Sequence, residues 1–187
     1  MEQSAAAVVV VGAGPVGLVA AVELARRGVP VRIIDKLTAP TTESRAIAVH
    51  ARSLEMFDRM GLAAELAASG VKATRMEMYA GGRHLAQVEF GQVDSAFPFT
   101  VVTAQTETER ILAEHLAALG VTVERGTELT GLSQDADAVH LTLARASGQA
   151  ESADAAWVIG ADGARSTVRD LVGTRLAGRH PGASTGL

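Results

Sequence analysis

Val8-Val9-Val10-Val11-Gly12-Ala13-Gly14-Pro15-Val16-Gly17, followed past a helical stretch by Val31-Arg32-Ile33-Ile34-Asp35, decides the fold of this chain. The first apolar run reads as a buried strand. It enters a G-x-G-x-x-G turn, a helix, and a second apolar run that ends on an acid. Gly12 allows the tight turn, Gly14 lets a pyrophosphate approach the backbone, and Gly17 lets helix and strand pack closely. The helix that begins at Pro15 and Val16 turns its free N–H groups and positive end toward a diphosphate. Asp35 lies 18 residues after Gly17 and can accept hydrogen bonds from a ribose diol. A glycine turn alone is common in unrelated α/β domains. Strand, glycines, helix and terminal acid together point to a bound dinucleotide.

Composition narrows the class further. The 187 residues suffice for one ordinary domain with a sizeable core, or for a domain and part of another. Hydrophobic residues make up 48% and charged residues 20%, the balance of a globular protein rather than a disordered one. A net charge of −4 offers no polyanion footprint, so nucleic acid is not an expected partner. There is no cysteine, which excludes disulfides, thiolate metal clusters and dithiol redox chemistry. Redox work must therefore fall to a bound cofactor. The first apolar run lacks a basic leader and is too short to span a membrane, so a cytoplasmic protein without membrane contact is expected.

Along the chain, a helix over Pro15–Arg27 is closed by Gly28 and Pro30. Helices are also expected from Ala51 to Met60 and from Gly61 to Ser69. Residues 71–103 change character. Met76, Met78, Leu85, Val88, Phe90, Phe97, Phe99 and Val101 alternate in short runs split by Gly81-Gly82 and Asp94-Ser95, which reads as antiparallel strands. A helix over Glu107–Leu119 follows, then a strand over Val121–Glu124 and a hairpin over 127–146 around Asp135-Ala136-Asp137. Residues 156–160 form another strand, in which Trp157 is expected to be core. A helix from about Ala164 to Val172 precedes a tail without period. The histidines, His50, His84, His115, His140 and His180, show neither metal spacing nor catalytic partners and read as ordinary core or surface residues. No residue stands out as a catalytic acid, base or nucleophile.

Val158-Ile159-Gly160-Ala161-Asp162-Gly163-Ala164-Arg165-Ser166-Thr167-Val168-Arg169 repeats the pattern of strand, tight turn and helix. Alone it is a turn with a capping aspartate. Together with Gly12–Gly17 and Asp35, with Ser44-Arg45 through His50-Ala51-Arg52-Ser53-Leu54-Glu55, and with Gln105-Thr106-Glu107-Thr108-Glu109-Arg110-Ile111-Leu112, it resembles a known family. That family is the single-component FAD-dependent aromatic hydroxylases of the para-hydroxybenzoate hydroxylase type, in the branch acting on polyketides, rifampicin and phenols. The four segments span nearly the whole chain in the family's order.

The resemblance implies a fold: an α/β, Rossmann-like FAD/NAD(P)-binding domain with a parallel sheet, formed by residues 1–70 and 104–175. Residues 71–103 would be an antiparallel part of a substrate domain, and 176–187 a tail. It also implies roles. Gly12, Gly14 and Gly17 would hold the FAD diphosphate. Asp35 would hold the adenosine ribose, where the family more often has glutamate, with Lys36 beside the adenine. Arg45 would contact the diphosphate or the incoming nicotinamide cofactor. Gln105 would bond the ribityl or diphosphate region, and Leu129 would pass a backbone contact to the adenine. The Asp162-Gly163 turn would support the flavin and the nicotinamide. Arg52, Arg165, Arg169 and Glu109 fit the pattern equally as structural ion pairs.

The implied chemistry is reduction of FAD by NAD(P)H, capture of O2 as a flavin C4a-hydroperoxide, and hydroxylation of a small aromatic substrate. Other FAD oxidoreductases of related fold, reductases or halogenases, and a non-catalytic dinucleotide-binding module are the alternatives. A third family motif, Gly-Asp followed by Ala and His, does not follow Arg169. The chain is therefore expected to be the N-terminal part of such an enzyme, with little hydroxylase activity alone. Residues 71–103 are expected either to be mobile or to self-associate through an apolar face of Met76, Met78, Phe90, Phe97 and Phe99.

Overall fold

Val8 and Val10 of β1 (Val8–Val11) face one core and Val9 and Val11 face another, so the strand is buried on both sides. This is the environment that demands an unbroken apolar run instead of an alternating one. The computed structural model describes residues 6–42, 48–175, 177 and 178. β1 leads through α1 (Pro15–Ala25) to β2 (Val31–Asp35). The next elements are β3 (Ala48–Val49), α2 (Ala51–Arg59), α3 (Ala63–Ala68), β4 (Val71–Ala73), β5 (Arg75–Ala80), β6 (Arg83–Glu89) and β7 (Thr100–Val102). Then follow α4 (Gln105–Ala118), β8 (Val123–Arg125), β9 (Thr127–Gln134), β10 (Val139–Arg145), β11 (Ala150–Ala155), β12 (Trp157–Gly160) and α5 (Thr167–Leu171).

Three layers result. The central sheet is parallel throughout, in the order β12-β1-β2-β8. On one face lie α1 and α4, joined by α2, α3 and the small antiparallel sheet β3-β7-β4; Leu18, Leu54, Leu66, Ile111, Leu112 and Leu116 fill the core between them. On the other face the antiparallel sheet β11-β10-β9 closes a second core with Leu129, Leu141, Leu143 and Ala155 against Val9, Val11 and Ile34. The α/β fold with a parallel sheet and antiparallel additions is thus as the sequence implies.

Several boundaries differ from the sequence expectation, each for a local reason. α1 stops at Ala25, and Arg26 and Arg27 fold back onto Glu23 instead of extending the helix. α4 starts two residues early, at Gln105, because Ala104 is already extended and serves as its N-cap. Leu119 lies past its end and is exposed. α5 is shorter than expected because Ser166 caps it, accepting the Arg169 N–H at 3.0 Å. β11 has no counterpart in the sequence reading. Trp157 is 71% exposed rather than core, since β12 is an edge strand of the parallel sheet.

A cluster of four charges ties the two large sheets together. Arg32 on β2 donates to Glu124 on β8 at 2.5 and 2.9 Å and pairs with Glu151 on β11 at 2.6 Å. Arg145 on β10 pairs with the same two carboxylates, at 2.9 and 2.6 Å. The cluster is neutral, two cations with two anions. Arg32, bonded to Glu124 and then Glu151, is held even more firmly protonated than usual, and Glu151 lies below the ordinary carboxylate range through Arg32 and Arg145.

The hairpin β9–β10 carries an exposed clasp that the sequence did not reveal. His140 Nδ1 lies 2.8 Å from Asp154, its cross-strand partner, and Nε2 lies 3.0 Å from Asp135 in the turn. Asp135 and then Asp154 raise the imidazole above its usual value, and His140 with two backbone N–H groups holds Asp135 down at about 2. The raised histidine contributes stability in full below its unfolded value, ~6.5, and loses it as pH rises through the folded value. The depressed Asp135 contributes above its unfolded value and loses it as pH falls toward about 2. In an NMR titration the His140 ring should therefore show a raised midpoint, and Asp135→Asn should bring it down.

The segment 71–103 divides. Phe97 and Phe99, edge to face at 6.1 Å, pack against the main core with Val101, and Lys72 sits 5.0 Å over the Phe99 ring. They do not join an open apolar face. β5 and β6 instead form a separate two-stranded sheet whose Met76, Met78, Tyr79, Leu85 and Val88 are exposed. A two-stranded ribbon with so little covering is marginal by itself. Its amides should exchange with deuterium far faster than those of Val8–Val11 in dilute solution. Protection that grows with protein concentration would reveal self-association through this ribbon.

Candidate dinucleotide site

The parallel register Val8↔Val31 and Val8↔Trp157 brings the carboxyl ends of β1, β2 and β12 level. The chain leaves them through Gly12, Lys36 and Ala161. At this edge lies a cleft of about 710 Å³. Gly12, Gly14, Pro15, Val16, Asp35, Lys36, Gln105, Leu129, Asp162 and Gly163 all line it. Clefts outside the carboxyl ends of parallel strands are where such sheets bind ligands. Gly17 lies behind the wall, and Arg45 falls outside the described residues.

The three glycines of the turn have three different physical requirements. Gly12 has a φ of +102°, and a Cβ there would lie 2.5 Å from the Ala161 carbonyl oxygen. A Cβ on Gly17 would lie 1.9 Å from the Gly12 carbonyl oxygen, so α1 sits directly on the turn. Gly14 differs from both. Its backbone is extended, with φ −75°, and a Cβ would meet no atom of the described residues within 4 Å. The described residues leave room for a side chain at this cleft-lining position. Among the described residues no side chain caps α1, and no acidic residue occupies its first turn. An uncapped helix end beside a position kept free of Cβ fits a diphosphate.

Asp35 organises the next wall. Its Oδ2 accepts the Ala13 N–H at 2.7 Å and its Oδ1 accepts the Leu37 N–H at 2.8 Å. Arg125 stands 3.5 Å away, opposite Asp35 in the β2–β8 register. The carboxylate thereby pins the glycine turn to the end of β2. Two oxygens hold about four lone-pair positions, so capacity remains for a ribose diol. Arg125 was not visible as a site residue, because its pairing depends on two strands 90 residues apart coming into register.

The Asp162 carboxylate is engaged within its own turn. It accepts from Ser166 Oγ at 2.6 Å and from the Val168 N–H at 3.1 Å, which fixes the start of α5. What the turn offers the cleft is its backbone. Leu129 likewise buries its side chain in the second core, at 2% exposure, and contributes main chain. The β9–β10 register shifts beside it, between Thr142 and Leu143, skipping Thr130. On α4, Gln105 donates from Nε2 to Glu109 at 2.8 Å, and Glu109 is only 5% exposed. Arg165, Thr41, Thr127 and Thr167 complete much of the lining. Arg52 and Arg169 do not reach it: Arg52 pairs with Glu55, and Arg169 with the Ala164 carbonyl and Asp170. Among the described residues, no cluster of histidine, aspartate and glutamate suits a metal ion.

The sequence matches the FAD binding domain family over residues 5–186. The chain belongs to that family. This FAD-binding domain is 45% identical to 6-methylpretetramide 4-monooxygenase of Streptomyces rimosus across 91% of its length, which is 31% of that protein. It is 39% identical to pentachlorophenol 4-monooxygenase of Sphingobium chlorophenolicum over 95% of its length and 33% of the relative. The crystal structure of p-nitrophenol 4-monooxygenase from Pseudomonas putida DLL-E4 superposes with a TM-score of 0.89 at 30% identity, covering 95% of the chain and 46% of that protein. The chain thus spans about a third of the length of the curated relatives it matches. No helix among the described residues is long and apolar enough to cross a membrane.

The glycines supply a direct test of the site. Gly14→Ala should leave the unfolding midpoint nearly unchanged, within about 0.5 kcal/mol. It should nevertheless weaken FAD binding about tenfold, the cost of an added methyl against a bound group. Gly17→Ala should instead destabilise the fold by about 3 kcal/mol, because backbone must move. Thermal unfolding and FAD fluorescence quenching on both variants separate the two effects.

Proposed function

We propose that this chain binds the ADP half of FAD for a flavin-dependent aromatic hydroxylase. The observation that carries the reading is the glycine turn on the cleft wall, where Gly14 lines the cleft and a Cβ on it would meet no described protein atom within 4 Å. In this reading the turn Gly12–Gly17 and the start of α1 hold the diphosphate. Asp35 accepts from the adenosine ribose while keeping the turn in place through Ala13. Lys36 and the main chain at Leu129 flank the adenine. Gln105 and the backbone of the Asp162-Gly163 turn carry the site on toward the flavin side, with Arg45 contributing to the diphosphate or the nicotinamide.

FAD, when bound, accepts a hydride and activates O2, chemistry that no side chain of this protein performs. NAD(P)H is the proposed reductant, and a small phenolic or polyketide-like aromatic the proposed substrate. Support for that substrate class comes from the relatives, named for 6-methylpretetramide and pentachlorophenol. No described side chain is placed as a catalytic acid or base; this domain's own task is to bind and orient.

Calorimetric titration of the chain with FAD and with NAD tests the assignment. FAD should bind and NAD should bind far more weakly, if at all. Tight NAD binding without FAD binding would overturn the hydroxylase reading. Asp35→Ala should weaken FAD by about 1–3 kcal/mol through the lost charge-assisted bonds. It should also loosen the glycine turn, since the Ala13 N–H loses its partner.

A further inference from the structure

Glu109 is an ionisable side chain buried on the wall of the cleft, 5% exposed, and no cation pairs with it among the described residues. Burying a carboxylate without a cation is costly unless hydrogen bonds hold it. Its hydrogen bond to a described residue comes from the side-chain amide of Gln105, 2.8 Å away and one helical turn earlier on α4. Residues four apart on a helix share a face, so both side chains point along the same wall. The pair also has a defined polarity. A carboxylate can only accept, so the NH2 group of Gln105 must face Glu109 and the carbonyl edge is set by exclusion. Free amides turn over readily; this one is anchored by a charge-assisted bond.

We propose that Glu109 is a positioning residue for the cofactor: it fixes the orientation of the Gln105 carboxamide and so sets which edge of that amide meets FAD. The proposal rests on the reading of the cleft as an FAD site. Glu109 itself makes no contact with the dinucleotide in this role. Its buried charge acts through Gln105, and its effect on binding should vanish when Gln105 is gone.

The test is a double-mutant cycle on the full 187-residue chain, read as FAD affinity by fluorescence quenching. Glu109→Ala and Gln105→Ala should each weaken FAD about tenfold, as loss of a hydrogen bond to a charged group would. The double variant should be no weaker than Gln105→Ala by more than about twofold, the signature of one residue acting through the other. Glu109→Gln, whose amide oxygen can still accept the Gln105 N–H, should recover most of the affinity. A second readout needs no FAD: the side-chain NH2 resonances of Gln105 in the free protein should move in Glu109→Ala and return toward wild type in Glu109→Gln. Single effects that multiply in the double variant, or a Glu109→Ala chain that binds FAD like wild type, would overturn this proposal while leaving the FAD reading intact. A wild-type chain that takes up no FAD would overturn both.

Discussion

The structure depends on how closely backbone passes backbone at the end of β1. The Gly12 carbonyl lies where a Gly17 side chain would be, and the Ala161 carbonyl lies where a Gly12 side chain would be. Three segments are thereby stacked without side chains between them: the start of α1, the turn after β1, and the turn after β12. That stacking lets α1 begin directly over the strand end with its N–H groups facing outward. It also places the two loops side by side as the floor of one cleft. Any Cβ at either contact would force the helix or the second loop away and open the floor.

Around that floor, hydrogen bonds within the protein decide which atoms remain for a ligand. Asp35 pins the turn through Ala13 and is backed by Arg125. Asp162 is committed to Ser166 and Val168. Much of the cleft is main chain held by carboxylates, with the exposed Lys36, Glu128 and Arg165 also on its lining. The Arg32–Glu124–Arg145–Glu151 cluster lies apart from the cleft and fastens the antiparallel sheet to the parallel one, which keeps Leu129 in position.

The division of residues 71–103 follows the same logic of packing. Thr100 and Val101 of β7 pair with β3 and β4 and enter the main core, and Phe97 and Phe99 go with them. Among the described strands β5 and β6 pair only with each other. Their alternating apolar residues gave a correct strand assignment but say nothing of what covers them. Periodicity reports a face; it does not report the neighbour.

What the sequence determined by itself is the part governed by short-range physics. An unbroken valine run, glycines at fixed spacing, a helix and a terminal acid within 28 residues specify strand, turn, helix and strand, and with them the glycine-turn end of the cleft. Each of those constraints is local, so each is readable. Tertiary structure alone decided what depends on distant strands meeting. Trp157 reads as core by composition, yet it is exposed because β12 falls at a sheet edge. Arg125 joins Asp35 only through the β2–β8 register, and His140 finds two aspartates only once β10 lies between β9 and β11. Glu109 was visible as one of several charges on a helix; its burial against the cleft, which singles it out, came from the packing of α4 on the core.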